Sequence, residues 1–301
     1  MHNVTVLTRP VSTATFAPDT HLTVSKVDYT IEDSLVTALA GIDCLILALS
    51  TSTAPTVHAS IVKAAAKAGV PHVMPNYYGF GLDSRAGDLS SDPIIGPFAK
   101  AIEDVKAVDG VSYTALVCGF WYEFSLGMGE QWYGFDIPNR KVTFYDQGTT
   151  KICTTTWEQC GKAVAALLRL PVTATGDGSP SLDKWKNAGL YIHSFCISQR
   201  DMLNSLHRVL GTSDADWKIT YQSATERQRE GIKELQAGNP LGFAKAMYAR
   251  LFFASGDGDY SKTGNMDDDK LGLEREDLDE TTRSVVKMVD DGFGLCSLAT
   301  A

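Results

Sequence analysis

Two stretches of the chain place polar and aromatic side chains directly after short apolar runs. Residues 73–79 are VMPNYYG, residues 117–122 are VCGFWY, and Lys100 lies between them on a predicted helix. Apolar runs of this kind are typical of buried parallel strands, and ligands bind where such strands end. An amine and phenols at that edge could hold a ligand hydroxyl and deliver a proton to a developing oxyanion. The alternative for Lys100 is a solvated helix lysine, as Lys106 would be.

A basic residue also follows the first predicted strand. The segment Val4–Thr8 is a short apolar and β-branched run, and Arg9 comes immediately after it. In a doubly wound nucleotide-binding sheet, an arginine at a strand end beside the ribose accommodates the 2′-phosphate of NADP. The sequence therefore predicts an NADP-binding arginine, with a solvated turn arginine as the alternative.

The elements that would position these residues alternate between strand and helix. Strands are predicted at 4–8, 22–27, 43–49, 72–74 and 112–117, and helices at 33–41, 55–69 and 97–108. The continuous apolar run at 43–49 predicts a strand that is buried on both faces. This order predicts an α/β protein with a parallel sheet and right-handed crossovers.

The alternation becomes irregular after about residue 150. Strands are predicted at 141–145, 190–196 and 217–221, and helices at 157–170, 200–210, 224–237, 241–253 and 277–289. Thr156 and Ser198 precede two of these helices and are predicted to cap them. The sequence thus predicts an NAD(P)-binding domain at 1–150 and a smaller α/β substrate-side lobe at 151–301.

Composition excludes several classes of partner and site. The net charge is −9 and no basic block is present, which argues against nucleic acid and anionic membranes as partners. The six cysteines are scattered without metal-binding spacing, so no metal site and a reducing, cytoplasmic location are expected. His58, His72, His193 and His207 also lack metal spacing and are interpreted as structural. No apolar stretch reaches about 18 residues, so no membrane span is predicted.

Several segments together resemble the NmrA-like and isoflavone-reductase-like family of atypical short-chain dehydrogenase/reductases, in its fungal form. The segments are Val4–Pro10, Lys26–Tyr29, Met74–Gly79, Lys100, Gly119–Glu123 and Asp146–Lys151. The resemblance covers nearly the whole chain. It implies a Rossmann-like doubly wound parallel sheet, NADP(H) as cofactor and a small-molecule substrate.

The resemblance also carries an expected departure. Members of that family usually begin with a strand, a Gly-x-x-Gly-x-x-Gly loop and a helix, and this chain begins with the segment that follows them. An element of roughly 25 residues, whose loop amides meet the pyrophosphate, is therefore expected to be missing. We expect weak NADPH binding and marginal stability for the chain as it stands.

Site residues follow from the resemblance by position. It implies that Thr8 and Arg9 lie near the 2′-phosphate, Asp28 beside the adenine, and Ser50 and Thr51 on the phosphate and nicotinamide-ribose side. Lys100 matches the lysine associated with catalysis. The remaining predicted site residues are Asn76 for the cofactor, Tyr77 as a further proton donor, and Tyr78, Phe120, Trp121 and Tyr122 for an aromatic substrate pocket. For the tyrosines the alternative is packing, and for residues 120–122 it is a hydrophobic plug.

Two functions remain open at this point. The first is an NADPH-dependent reductase that acts on a small aromatic or polyketide-like metabolite in fungal secondary metabolism. The second is a non-redox or regulatory NmrA-like protein that binds a partner protein and has lost tight cofactor binding. Titration of the protein with NADPH would discriminate between them.

Overall fold

The computed structural model describes residues 2–16, 18–50, 53–81, 89–174, 176, 178–264 and 266–294. The strands are β1 (Val4–Thr8), β2 (Leu22–Lys26), β3 (Cys44–Ile46), β4 (His72–Met74), β5 (Tyr78–Gly79), β6 (Ser112–Val117), β7 (Phe120–Trp121), β8 (Phe135–Asp136), β9 (Lys141–Tyr145), β10 (Lys151–Thr155), β11 (Ala188–Tyr191), β12 (Phe195–Ser198) and β13 (Lys218–Gln222). The helices are α1 (Glu32–Leu39), α2 (Pro55–Ala68), α3 (Lys100–Lys106), α4 (Tyr122–Gly127), α5 (Trp157–Arg169), α6 (Gln199–Leu210), α7 (Ala224–Gln236), α8 (Leu241–Leu251) and α9 (Leu278–Asp290). The predicted α/β class is confirmed.

The chain forms two compact units, which we describe separately. The first unit comprises Met1–Tyr77, Phe98–Ala115 and Trp185–Ala188. The second comprises Tyr78–Pro97, Leu116–Lys184 and Gly189–Ala301. The functional division at residue 150 remains a prediction.

Parallel strands form the first unit, as the β-α order predicts. β1 pairs with β2 in one two-stranded sheet, and β4 lies between β3 and β6 in another. All three residues of β4 are buried, which fits a central strand covered on both faces. Helix α2 packs on α1 and ends at Gly69, whose φ of 79° is the left-handed conformation that favours glycine.

The strand predicted at 43–49 differs from the structure in two respects. Regular pairing covers only Cys44–Ile46, and Ile46 is 40% exposed rather than buried. The reason is that β3 is the outer strand of its sheet, so the apolar run is covered on fewer sides than a central strand would be. An apolar run shows that a strand is buried in part, but it does not show its place in the sheet.

The helix predicted at 97–108 begins later than expected. Residues Gly96–Ala99 form a 3₁₀ turn, and the α-helix starts at Lys100. Lys100 therefore lies in the first turn of α3, where side chains point away from the body of the helix and are less tightly packed. The lysine is thus presented at the helix start and not along its buried side.

The second unit contains mixed sheets. β10 pairs antiparallel with β12 and parallel with β7, whereas β9 pairs antiparallel with β8 and parallel with β13. β5 pairs with the end of β6, and β11 is the neighbour of β6 in its sheet. The predicted caps are confirmed: Thr156 accepts a hydrogen bond from the Gln159 amide, and Ser198 forms a capping box with Asp201.

The strand predicted at 190–196 is two strands, β11 and β12. The Ile192 amide donates to Val117 of β6, and the Ser194 amide donates to Thr154 of β10. The chain thus changes hydrogen-bonding partner between residues 192 and 194. A continuous apolar run does not reveal such a change of sheet, because both halves are buried alike.

Among the described residues, none of the helices combines the length and the hydropathy that crossing a membrane requires.

Candidate active site

The carboxyl ends of β1 and β2 place the first group of predicted residues at one edge. Thr8 pairs in register with Lys26, and the Val27 amide donates to the Thr8 carbonyl at 2.8 Å. Because the strands are parallel, Arg9 and Asp28 leave their strands at the same edge. The pairing brings together residues that are about 20 positions apart in the chain.

The Thr8 hydroxyl at this edge is buried and has no hydrogen-bond partner among the described residues. Arg9 beside it is exposed, and no described carboxylate forms an ion pair with its guanidinium. A buried hydroxyl without a partner is costly, whereas a phosphate oxygen would satisfy it and would also attract the guanidinium. The edge therefore fits an anionic group such as the 2′-phosphate of NADP.

Asp28 and Lys26 order the loops around Arg9. One oxygen of Asp28 accepts the Thr30 amide at 2.9 Å and the Thr30 hydroxyl at 2.7 Å. The bonds from the Thr30 side chain and amide lower the pKa of Asp28, so it is ionised at neutral pH. The Lys26 ammonium donates to the carbonyls of Pro10 and Ser12 at 3.1 and 2.8 Å, which fixes the segment after Arg9.

Asn76 connects the loops after β3 and β4. Its side-chain oxygen accepts the Leu49 amide at 2.9 Å, and its side-chain nitrogen donates to the Leu49 carbonyl at 3.3 Å. The predicted cofactor residue Asn76 thus uses its amide group to hold the backbone next to Ser50. Thr51, predicted beside Ser50, lies outside the described residues.

A chain of hydrogen bonds links Lys100 to the same loop. The Lys100 ammonium forms an ion pair with Asp104, one helical turn further along α3. The other oxygen of Asp104 lies 2.9 Å from Nδ1 of His58, and Nε2 of His58 lies 3.3 Å from the Asn76 amide nitrogen. Lys100, Asp104, His58 and Asn76 therefore form one network, which we call the lysine network.

The geometry of the lysine network indicates which tautomer its histidine adopts. Because Nε2 of His58 accepts the backbone N–H of Asn76, its proton lies on Nδ1 and is donated to Asp104. Asp104 and His58 are buried, at 6% and 7% exposure, whereas the side chain of Lys100 is 62% exposed. The hydrogen bond to Asp104 raises the pKa of Lys100. The result is an ammonium that Asp104 holds and that remains open to solvent.

Tyr77, the other predicted catalytic residue, lies at the end of the same loop. Its side chain is 5% exposed, and its amide donates to the Pro75 carbonyl at 2.6 Å. Burial of the ring favours the packing alternative over direct contact with a substrate.

The predicted pocket aromatics belong to the second unit and separate into two pairs. Phe120 is 6% exposed and stacks on Tyr248 with ring centroids 3.8 Å apart, and Tyr122 is completely buried. Trp121 is 37% exposed, and its ring lies 6.4 Å from that of Tyr78. Side chains alternate along β7, so Phe120 points into the core and Trp121 points outward. Tyr122, the first residue of α4, is again buried in the core. Of the four predicted pocket residues, only Tyr78 and Trp121 present accessible aromatic surface.

Comparison with known proteins bears on this arrangement. Residues 1–121 match the family model described as NAD(P)H-binding. An oxidoreductase named aprR from Aspergillus flavus is 29% identical over 289 residues, which cover 94% of this chain and 90% of that protein. The chain is an NAD(P)H-dependent oxidoreductase.

Solved structures agree with this assignment at the level of the fold. The structure of isoflavone reductase superimposes on this chain with a TM-score of 0.70 at 20% identity. The match covers 94% of this chain and 91% of isoflavone reductase. The protein AtPrR2 in complex with NADP⁺ and (+)-pinoresinol gives a TM-score of 0.69 at 17% identity, with the same coverage. The predicted resemblance to the isoflavone-reductase-like family, the Rossmann-like fold and the nicotinamide cofactor are confirmed.

From the sequence, His58 was interpreted as structural and Asp104 was not named, yet both belong to the lysine network. Asp104 could have been found, because lysine and aspartate four residues apart on a helix are neighbours. His58 could not, because it is 46 residues from Asp104 and reaches it only through the packing of α2 on α3.

Glu123 is a further titratable group that the sequence did not single out. Its carboxylate accepts the Trp157 amide at 3.2 Å at the start of α5, and burial raises its pKa to about 7. The nearby Glu276 and Glu158 carboxylates contribute to the same shift. Glu123 is thus a partly buried carboxyl near other acids in the second unit.

A surface groove of about 630 Å³ lies elsewhere in the first unit. Its lining includes Phe16, Asp19, Leu22 and Val24, along the loop before β2 and the first part of that strand. None of the predicted site residues lines it, so the groove has no part in the candidate site.

Proposed function

We propose that this oxidoreductase transfers a hydride from NADPH to a C=O or C=C group of a small aromatic or polyketide-like metabolite, in fungal secondary metabolism. The observation that carries the proposal is the lysine network, which holds a charged ammonium at the carboxyl edge of a parallel sheet. Bound cofactor would supply the hydride, and the residues of the chain would position the partners and handle the charge that hydride addition creates.

The cofactor residues have distinct tasks in this proposal. Arg9 and the Thr8 hydroxyl would bind the 2′-phosphate, since one offers a fork of donors and the other a buried hydroxyl with no partner in the described chain. Asp28 would lie beside the adenine. Asn76 would hold the backbone at Leu49, so that Ser50 and Thr51 face the phosphates and the nicotinamide ribose.

Lys100 is the proposed catalytic residue. Addition of a hydride to a carbonyl leaves an oxyanion, which a fixed ammonium stabilises and can protonate. Because pairing with Asp104 raises the pKa of Lys100, the group acts as a donor and not as a base. Tyr77 is retained as a second proton donor only if its hydroxyl becomes accessible, since its ring is buried.

The substrate class rests on the two accessible aromatic rings and on the relatives. Tyr78 and Trp121 offer the flat apolar surface against which an aromatic substrate packs. The solved structure of AtPrR2 contains (+)-pinoresinol, an aromatic ligand, which supports the same class for this chain.

The test is a pair of lysine variants on one helix. NADPH oxidation is measured with a panel of aromatic ketones, enones and quinones, and NADPH binding is measured separately by fluorescence. Lys100→Met should lower kcat roughly 100-fold or more while the NADPH dissociation constant changes little. Lys106→Met, at the exposed end of the same helix, is the matched control and should retain full turnover. Unchanged turnover of Lys100→Met would remove Lys100 from the catalytic site.

A further inference from the structure

Two cysteines and an aspartate converge in the second unit, outside every residue of the candidate active site. Cys153 on β10 and Cys196 on β12 are directly paired across the antiparallel ladder. The Cys153 amide donates to the Gly258 carbonyl at 2.8 Å, so it points away from β12. The two cysteines therefore form a non-hydrogen-bonded pair, the type in which facing side chains approach most closely.

The carboxylate of Asp259 completes the group. Gly258, the residue before it, lies so close to β10 that an added Cβ would be 2.5 Å from the Ile152 side chain and 2.6 Å from the Leu251 carbonyl. Only glycine allows that approach, which brings one oxygen of Asp259 to 3.9 Å from the Cys153 sulfur and 3.3 Å from the Cys196 sulfur. The three atoms all lie within 4.8 Å of one another.

We propose that Cys153, Cys196 and Asp259 bind a thiophilic divalent metal ion of the zinc class. Zinc forms bonds of about 2.3 Å to sulfur and about 2.0–2.2 Å to oxygen, so a tetrahedral ion separates its sulfur and oxygen ligands by roughly 3.5 Å. The two observed sulfur–oxygen distances, 3.3 and 3.9 Å, lie on either side of that value. Two thiolates select a soft ion and disfavour Mg²⁺ and Ca²⁺.

The surroundings suit such an ion. Ser261 donates a 2.5 Å hydrogen bond to the same oxygen of Asp259, which orients the carboxylate as outer-shell partners of metal ligands do. Lys262 lies 3.2 Å from the other oxygen and offsets part of the negative charge of two thiolates and a carboxylate.

Three protein ligands leave one tetrahedral position for water or a partner group. Metal binding would release the thiol protons and join β10 and β12 to the segment that carries Asp259. Cys118 and Cys160 form a second thiol pair, but within the described chain no carboxylate or imidazole turns them into a three-ligand set. Substitution of one of these two cysteines therefore serves as a control, because it removes a thiol but none of the proposed metal ligands.

The test uses the full chain, reduced with a phosphine and freed of metal with a chelator. Titration with Cd²⁺ should give a thiolate-to-metal ultraviolet band that saturates at one equivalent and is displaced by Zn²⁺. Cys196→Ser should weaken Cd²⁺ binding by more than about 100-fold, and Ser261→Ala by about 10-fold, the range for outer-shell partners. Cys160→Ser should bind like the parent.

A second readout protects the test against misfolded variants. Because a bound ligand stabilises the native state, Zn²⁺ should raise the melting temperatures of the parent and of Cys160→Ser. It should not raise that of Asp259→Asn, which keeps the size of the side chain but removes the carboxylate. The proposal is overturned if no band forms or if Cys196→Ser binds Cd²⁺ as tightly as the parent. The proposal is also overturned if the protein, isolated before any reductant is added, has Cys153 and Cys196 joined in a disulfide.

Discussion

The two strand edges of the first unit hold their polar side chains in opposite ways. At the end of β1, Arg9 is exposed and the Thr8 hydroxyl is buried without a partner among the described residues. At the ends of β3 and β4, Asn76, His58 and Asp104 satisfy one another and hold the ammonium of Lys100. The first edge is suited to a ligand that supplies the missing partners, whereas the second is arranged before any ligand arrives.

The largest expected effect comes from breaking the arranged edge. Asp104→Ala removes the partner of both Lys100 and the buried His58. We expect kcat to fall roughly 100-fold, since Lys100 loses its anchor, and stability to fall by about 1–3 kcal/mol, since His58 loses its acceptor. Turnover and urea unfolding measure the two effects.

Asp104→Asn separates anchoring from charge in that experiment. It keeps an acceptor for His58 but removes the anionic partner of Lys100, so stability should be largely restored while kcat stays low. Recovery of turnover together with stability would mean that Asp104 acts only on the fold.

The open edge is tested next, through coenzyme choice. Arg9→Ala should weaken NADPH binding about 10- to 100-fold, the value of one charge-assisted contact, and leave NADH binding unchanged. Fluorescence titrations with both coenzymes measure the difference. An equal loss for NADH would show that Arg9 supports the fold of the loop and does not bind the 2′-phosphate.

Glu123 extends the comparison to the second unit, because its partly buried carboxyl lies near other acids, whereas Asp104 pairs with Lys100. Burial raises its pKa to about 7 in the folded protein, above the value of the unfolded chain. The native state then binds more protons than the unfolded state between about pH 4.5 and 7, so stability falls as pH rises through that window. The total loss in the free energy of unfolding across this window is on the order of 1–3 kcal/mol, after allowance for the partial exposure of Glu123.

Glu123→Gln should remove this dependence and keep an acceptor for the Trp157 amide. Thermal unfolding should show the variant more stable than the parent above pH 7 and nearly equal to it below pH 5. Glu226→Gln is the control, since Glu226 is exposed and is not among the acids that raise the pKa of Glu123. If both variants behave alike, burial of Glu123 is not the cause.

The smallest effect is the most specific test of the open edge. Thr8→Val replaces the buried hydroxyl, which has no described partner, with a methyl group of similar size. The protein without ligand should become equally stable or more stable by up to about 1 kcal/mol, because a desolvation cost is removed. NADPH binding should weaken by about 3- to 10-fold for the loss of one hydrogen bond. A destabilised variant with unchanged NADPH affinity would contradict the assignment.

The elements that the sequence predicted well are those whose signal is local. Helix α6 is bounded by Ser198 and Gly211, and α2 ends at Gly69, so capping residues located both. The contacts that the sequence missed depend on distant residues. His58 meets Asp104 from another helix, and Cys153 meets Cys196 only because the register of β10 and β12 places them opposite.

The aromatic segment lies between these extremes. Residues 120–122 were predicted to line a pocket or to pack as a plug. The first two lie in β7, where neighbouring side chains face opposite ways. The structure buries Phe120 and Tyr122 and exposes Trp121. A period of two could have separated the rings, but it could not show which set faces the core.

The change of partner between residues 192 and 194 has a consequence for how the second unit unfolds. Within three residues, the Ile192 amide bonds to β6 of one sheet and the Ser194 amide bonds to β10 of another. Neither sheet can open at that point without pulling on the other, since three residues in an extended chain have little slack. Within the second unit, we therefore expect the end of β6 and the strand β10 to open together in local unfolding.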